Sequence, residues 1–543
     1  QLTHEPATRF AAPQITSDGA AIVAVAEEHQ DGKEPVNRLV QVDMNDGGVS
    51  VLAEGADFYG VPALRADGLV AWVEWDHPNM PWDTTRLMIG RIAGAGASGA
   101  GGQAAGSPAG SLLEDVRQVP AAPDSSSVYP SWAPDGTLLF LNDAHDYWQP
   151  HRFDLSNDQL TRVSDLQADF CFPPWLLGGA PYCVVDGWLL SPVMIRGESH
   201  ASRTELETGT TRVEFPILTT SGITPFAGGI VYVGGDRTQA PALIYRPQAD
   251  APTVVQKTST LALDPENVST AQPIEFPTTN GESAYGLFYP PVNAEYEGGE
   301  DERPPLIVSC HGGPTGHVQG ALNVGFQYWT SHGIAVLDVN YRGSSGYGRR
   351  YRNLLRGNWG VYDVEDSIAG ARYLVEQGRV DGARVAIRGG SAGGFTTLAA
   401  LAFHDFFKAG ISYFGVSDLE ALARETHKFE SRYLDALVGP YPKAAEIYRQ
   451  RSPINHTHQL SAPMILFQGE EDRVVPPNQA RLMAEALREK GLPVALVLYP
   501  GEGHGFRREE NIVHAAESSL AFLGRVFGFT PADELPEVEM ENL

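Results

Sequence analysis

Over residues 1–265 the apolar positions come in short runs, several of them alternating with polar ones, and the breaks are Asp-Gly and Gly-Gly steps. A period of two over about six residues marks a half-buried strand, and glycine at the break supplies the positive φ of a tight turn. Thr16-Ser17-Asp18-Gly19 therefore predicts a strand over 20–26, Arg65-Ala66-Asp67-Gly68 one over 69–73, and Ala133-Pro134-Asp135-Gly136 one over 137–142. Ala227-Gly228-Gly229 is a looser version before 230–233. Turns roughly 50 to 90 residues apart correspond to one or two blades of a β-propeller, each of about 40–50 residues. A β-sandwich with coincidental turns is the competing reading. This length holds about five or six blades, so a propeller of seven would be incomplete at its start.

From residue 274 the rhythm changes. Apolar runs at 274–276 and 285–289 flank Thr279-Asn280-Gly281-Glu282, a hairpin signal. Strand patterns at 306–309, 334–340, 384–388, 409–414, 464–468 and 494–499 then alternate with helical ones at 321–331, 361–377, 392–403, 478–490 and 512–527. In 361–377, for example, Val364, Ile368, Ala371, Leu374 and Val375 share one face. Strict β/α alternation predicts a mostly parallel, doubly wound sheet with helices on both faces. The division expected is 1–265, 266–530 and an acidic, frayed tail at 531–543.

Composition adds boundaries to this picture. At 543 residues two domains are the natural expectation, and 42% apolar content is ample for two cores. The stretch 93–110 is almost purely Gly, Ala and Ser and predicts a flexible insert between propeller strands, because it offers little to bury. Formal charge is −28, from 67 acidic and 39 basic residues. Such a field repels nucleic acid and anionic membranes and serves solubility. Cys171, Cys183 and Cys310 are too few for a disulfide framework, which favours a reducing, intracellular setting, the cytoplasm or an organelle interior. No run of about 18 apolar residues offers a membrane span. The start, Gln-Leu-Thr-His-Glu, lacks Met and a signal pattern and reads as processed or truncated.

Candidate chemistry concentrates in the second half. Gly389-Gly390-Ser391-Ala392-Gly393 is a G-x-S-x-G between a predicted strand and a predicted helix, the setting of a nucleophile elbow in an α/β-hydrolase. A serine hydroxyl needs a base and the base an orienting carboxylate, in the order Ser, acid, His. Asp472 follows the strand 464–468, ahead of its rivals Glu470 and Glu471, and His504 follows 494–499 within Gly501-Glu502-Gly503-His504-Gly505. The Ala392 N–H and the Gly313 N–H of Cys310-His311-Gly312-Gly313-Pro314 are the candidate oxyanion donors. His311 reads as loop architecture and His514 as helix surface. His456 and His458 lack further ligands at metal spacing, so neither metal nor cofactor is expected. Trp72, Trp75, His77, Met80 and Trp82 read as packing, with a substrate-facing wall as the alternative.

Taken together, His311-Gly312-Gly313-Pro314, Asn340-Tyr341-Arg342-Gly343-Ser344, Gly346-Tyr347-Gly348, Gly357-Asn358-Trp359-Gly360, Gly389–Gly394 around Ser391, Gly469 with Asp472, and Gly503-His504 resemble the prolyl oligopeptidase family of serine peptidases, in its acylaminoacyl-peptidase and dipeptidyl-peptidase-like branch. The resemblance implies cleavage of short peptides by Ser391, Asp472 and His504, with a propeller that excludes folded proteins. It departs at three places. Some members have Tyr where His311 stands. An Arg often found two places after the acid is Val474 here, with Arg473 adjacent. No Glu-Glu pair is assignable to a substrate amino terminus. Phe395, Val475 and Arg473 are candidates for substrate contact. Exopeptidase and endopeptidase action both stay open, as does assembly into a homo-oligomer. A small-molecule esterase or amidase, and a propeller interaction protein with a vestigial hydrolase half, are the rival functions.

Overall fold

The Asp-Gly turns set the pattern of the first unit in the computed structural model, which describes residues 2–93, 112–179, 181–214, 218–247 and 251–542. Gly19, Gly68 and Gly136 have φ of 70°, 87° and 84°, and each turn opens a strand: Ala21–Glu28, Leu69–Trp75 and Leu138–His145. The Gly/Ala/Ser insert lies outside the described residues, apart from Ala93. The chain divides into two compact units. The first comprises 1–234, 242–256 and 346–349; the second comprises 235–241, 257–345 and 350–543.

Among the described residues the first unit holds five successive antiparallel sheets of four consecutive main strands, the repeat of a β-propeller. Their opening strands are Thr8–Ile15, Phe58–Tyr59, Ser127–Trp132, Cys183–Val185 and Leu218–Phe226, the second sheet carrying Ala63–Leu64 as well. Inner strands alternate or stay buried throughout, as in Leu69–Trp75, so apolar faces pack sheet on sheet. The aromatic cluster of this half is packing. Trp72, Trp75, Met80 and Trp82 are all buried; Trp75 stacks on Phe58 at 5.3 Å and Trp82 leans on Trp175 at 4.5 Å.

The second unit is one eight-stranded sheet flanked by helices. Its strands are β1 (Gln272–Pro277), β2 (Ser283–Tyr289), β3 (Leu306–Cys310), β4 (Ala335–Asn340), β5 (Val385–Gly390), β6 (Ala409–Tyr413), β7 (Met464–Gly469) and β8 (Val494–Tyr499), in the order β1-β2-β4-β3-β5-β6-β7-β8. From β4 to β8 every pairing is parallel, while β2 pairs antiparallel with β1 and β4. Helices α1 (Val324–Ser331), α2 (Tyr362–Glu376), α3 (Ala392–Phe403), α7 (Asn478–Glu489) and α8 (Glu509–Phe527) provide the crossovers and final cover. Between β6 and β7 the chain adds three short helices, α4 (Leu419–Glu425), α5 (Tyr433–Leu437) and α6 (Ala445–Arg451). Covered on both faces, β4 and β7 are buried at all positions, which is why these strands open on apolar runs, Ala335–Leu337 and Met464–Phe467, rather than alternating.

Two expectations change. The acidic tail is packed: Val538 is 5% exposed, Leu535 and Met540 lie on the same core, and Glu541 exchanges backbone hydrogen bonds with Val494. Three apolar side chains among the acids suffice to anchor it, and Glu541 also pairs with Arg488. His514 is also tied inward, its Nδ1 lying 2.8 Å from the Tyr499 hydroxyl.

Candidate active site

Ser391 sits where β5 turns into α3, with φ 55° and ψ −121°, a strained conformation for any residue with a side chain. The turn is possible because glycines surround it. A Cβ on Gly389 would lie 2.2 Å from the Gly393 carbonyl oxygen, and one on Gly393 would lie 2.1 Å from that of Cys310. The elbow therefore holds the Ser391 side chain clear of the sheet edge, with the amino end of α3 directly behind it.

Two loops at the same carboxyl edge meet it, as expected of sites in open α/β sheets. Asp472 lies in the loop after β7 and is 4% exposed. Its Oδ1 accepts from the N–H groups of Val474 and Val475, at 2.8 and 2.9 Å, which fixes the carboxylate. Its Oδ2 lies 2.8 Å from Nδ1 of His504, and Nε2 of His504 lies 2.9 Å from the Ser391 hydroxyl. An ionised carboxylate only accepts, so Nδ1–H donates to Asp472 and Nε2 is left to accept the serine proton. Phe414 packs edge-on to the imidazole at 4.8 Å. The rival acids are elsewhere: Glu470 is exposed and pairs with Arg481 at 3.5 Å, and Glu471 is exposed.

Gly313 and Ala392 both border the recess beside Ser391, and among the described residues neither N–H has a hydrogen-bond acceptor. Gly313 has φ 120°, a conformation that favours glycine. His311 stands one turn away from this chemistry. It stacks on Tyr341 at 4.2 Å, and its Nε2 lies 2.8 Å from the Ser344 hydroxyl. Burial pushes its imidazole down to about 4, opposed by the Gly312 carbonyl, so the ring is neutral at pH 7.

The rest of the recess is formed by Pro314, Trp359, Val416, Leu422, Glu430, Tyr433, Leu434, Val474 and Val475. Val475 is thus in the wall. Phe395 is behind it, fully buried against Trp359 at 4.5 Å, and exposed Arg473 is outside it. Sequence reasoning missed Glu430, Tyr433 and the leucines, which belong to the excursion between β6 and β7. Leu422, Tyr433 and Leu434 lie on helices of five to seven residues and Glu430 on a three-residue turn, all too short for an apolar period to show. His456 contacts Phe403 edge-on at 5.0 Å, and among the described residues no group of three metal-ligating side chains occurs.

The remaining sequence motifs frame the site. Asn340 binds the backbone of Val318 with its amide, holding the loop after β3. Arg342 is fully buried, places Nε 3.0 and 3.1 Å from the two Asp366 oxygens, and lies over the Tyr362 ring at 3.8 Å. Asp363 accepts from the Gly360 N–H at 2.7 Å and the Thr396 hydroxyl at 2.6 Å, tying the turn that carries Trp359 to α3.

A strand-order and elbow of this kind, with hydroxyl, imidazole and carboxylate bonded in series at one edge, define the serine hydrolase class of α/β-hydrolase proteins. Residues 321–530 match the prolyl oligopeptidase family. Dipeptidyl aminopeptidase BIII of Pseudoxanthomonas mexicana is 30% identical over 299 residues, covering 53% of this chain and 43% of that protein. The acylamino-acid-releasing enzyme of Arabidopsis thaliana is 32% identical over 219 residues, covering 38% and 28%. The aligned part thus spans less than half the length of these curated relatives. A solved structure of a Mycobacterium tuberculosis puromycin-hydrolyzing peptidase is 33% identical with a TM-score of 0.92, covering 99% of this chain and 82% of that one. The chain belongs to the prolyl oligopeptidase family. Among the described residues no helix is long and apolar enough to cross a membrane.

Proposed function

We propose that this protein is a serine peptidase that hydrolyses short peptides through an acyl-enzyme, with the second compact unit, built on the eight-stranded sheet, as its catalytic domain. Ser391 attacks the acyl carbon, forming the Oγ–C bond as its proton passes to Nε2 of His504. Asp472 holds the imidazole in the required tautomer and orientation. The N–H groups of Gly313 and Ala392 receive the oxyanion, where a single donor typically supplies about 3–4 kcal/mol. The C–N bond breaks as His504 returns the proton to the leaving amine. Water then attacks the ester, giving its proton to His504, and Ser391 is restored as the acid leaves.

One observation carries this reading: the unbroken series from hydroxyl to imidazole to buried carboxylate, at 2.9 and 2.8 Å. The acylaminoacyl- and dipeptidyl-peptidase relatives support peptides as substrates, and the name of the Mycobacterium tuberculosis relative adds puromycin to the panel. The test is labelling by a fluorophosphonate together with hydrolysis of peptidyl amides. Wild-type protein should label and turn over, and Ser391→Ala should lose labelling and at least about 10³-fold in kcat. Failure of the wild type to label, or turnover confined to simple acyl esters, would remove the peptidase reading.

A further inference from the structure

The recess beside Ser391 contains a charge that hydrolysis itself does not use. Glu430 ends a short turn, Lys428–Glu430, and shares the recess with Ser391, Trp359, Tyr433 and Val475. It is the one carboxylate in that lining; the Tyr433 hydroxyl is engaged elsewhere, 2.6 Å from that of Thr315. Among the described residues the Glu430 carboxylate makes no hydrogen bond, and its nearest ion-pair partner is exposed His427 at 3.8 Å. Burial pushes the Glu430 carboxyl up from its ordinary value, with His427 and His504 opposing. A largely covered carboxylate, its side chain 22% exposed and making no hydrogen bond among the described residues, is costly to maintain, and a cation delivered by a substrate would relieve that cost.

We propose that Glu430 is a specificity-determining residue that holds a substrate ammonium group beside the acyl carbon attacked by Ser391. The inference rests on the peptidase reading above. Two parts of a peptide can carry that ammonium. The α-nitrogen of an amino-terminal residue lies about 2.5 Å from its own carbonyl carbon, so both fit one recess, and the protein then releases single residues from free amino termini. A lysine side chain at the same residue is the other source. The remaining walls, Trp359, Tyr433 and Val475 among them, are aromatic or apolar.

The experiment compares kcat/KM for three p-nitroanilides: phenylalanyl with a free amine, acetyl-phenylalanyl and acetyl-lysyl. Wild type and Glu430→Gln are assayed as the full chain, with Glu430→Asp as the conservative rescue. For a free-amine source, wild type prefers phenylalanyl over acetyl-phenylalanyl, and this ratio falls at least tenfold in Glu430→Gln and partly recovers in Glu430→Asp. The wild-type ratio should also decline as the substrate amine deprotonates near pH 8, and it should be flat in Glu430→Gln. For a lysine source, the acetyl-lysyl to acetyl-phenylalanyl ratio collapses instead. Each ratio is internal to one protein sample, so loss of folded material leaves it unmoved. Wild-type indifference in both pairs, or ratios that Glu430→Gln leaves unchanged while all rates fall, overturns the proposal. Fluorophosphonate labelling of wild-type Ser391 separates the two readings: labelling with unchanged ratios defeats the ammonium site alone, and absence of labelling defeats the peptidase.

Discussion

A serine at φ 55° persists only where its neighbours leave room for the turn, and at the elbow that room is measured in atoms without a Cβ. Alanine at Gly393 would press against the Cys310 carbonyl, and alanine at Gly389 against that of Gly393. Both obstacles are backbone, so strand β5 or helix α3 must move. A displacement of about 1 Å at the nucleophile costs on the order of 10²-fold in rate. Gly393→Ala should therefore slow fluorophosphonate labelling by at least that factor while far-ultraviolet circular dichroism stays close to wild type. Labelling within a few-fold of wild type would show that the elbow tolerates the methyl group. This constraint is local in sequence, so the nucleophile was legible from five consecutive residues. Glu430 was not, because nothing in its neighbours states that its carboxylate faces the same recess as a serine 39 positions earlier.

At the scale of elements, burial decides which charges matter. Asp363 begins α2 with no exposed surface, and burial pushes its carboxyl up to about 6 against hydrogen bonds from Thr396 and Gly360. The unfolded chain releases this proton near 3.8, so between that pH and about 6 the folded state binds more protons. Stability from this group is complete below 3.8 and is lost as pH rises through about 6, a difference of about 2–3 kcal/mol. Asp363→Asn mimics the protonated acid, so urea titrations at pH 4 and pH 7 should show wild type losing that much more stability than the variant. Equal losses would contradict the assignment. The alternation of β3 through β8 with helices was readable, outside the β6–β7 connection, because these strands are largely buried and α1, α2, α3, α7 and α8 are long enough to show their period. Helices α4 to α6 were not, though α4 and α5 supply Leu422, Tyr433 and Leu434 to the recess wall.

At the scale of the whole molecule, the acidic segment near residue 540 is held by side chains far away in sequence. Val538 is buried, Leu535 and Met540 pack on the same core, and Glu541 pairs with Val494. Removing residues 531–543 uncovers these contacts, at about 3 kcal/mol if one full and two partial side chains are counted. Melting of the truncated chain should fall by roughly 3–5 °C in calorimetry. A melting temperature within a degree of wild type would mean the tail adds nothing to the core. Sequence alone determined the rhythm of the two halves and the serine turn, because strand period, helix period and glycine spacing act over a few neighbours. It also pointed to the downstream acid and imidazole by their order after their strands. Only the folded sheet brought Asp472, His504 and Ser391 within hydrogen-bond distance, packed the tail, and put Glu430 beside the nucleophile. Those outcomes depend on which distant backbone segments share an edge or a core, a matter settled by tertiary packing.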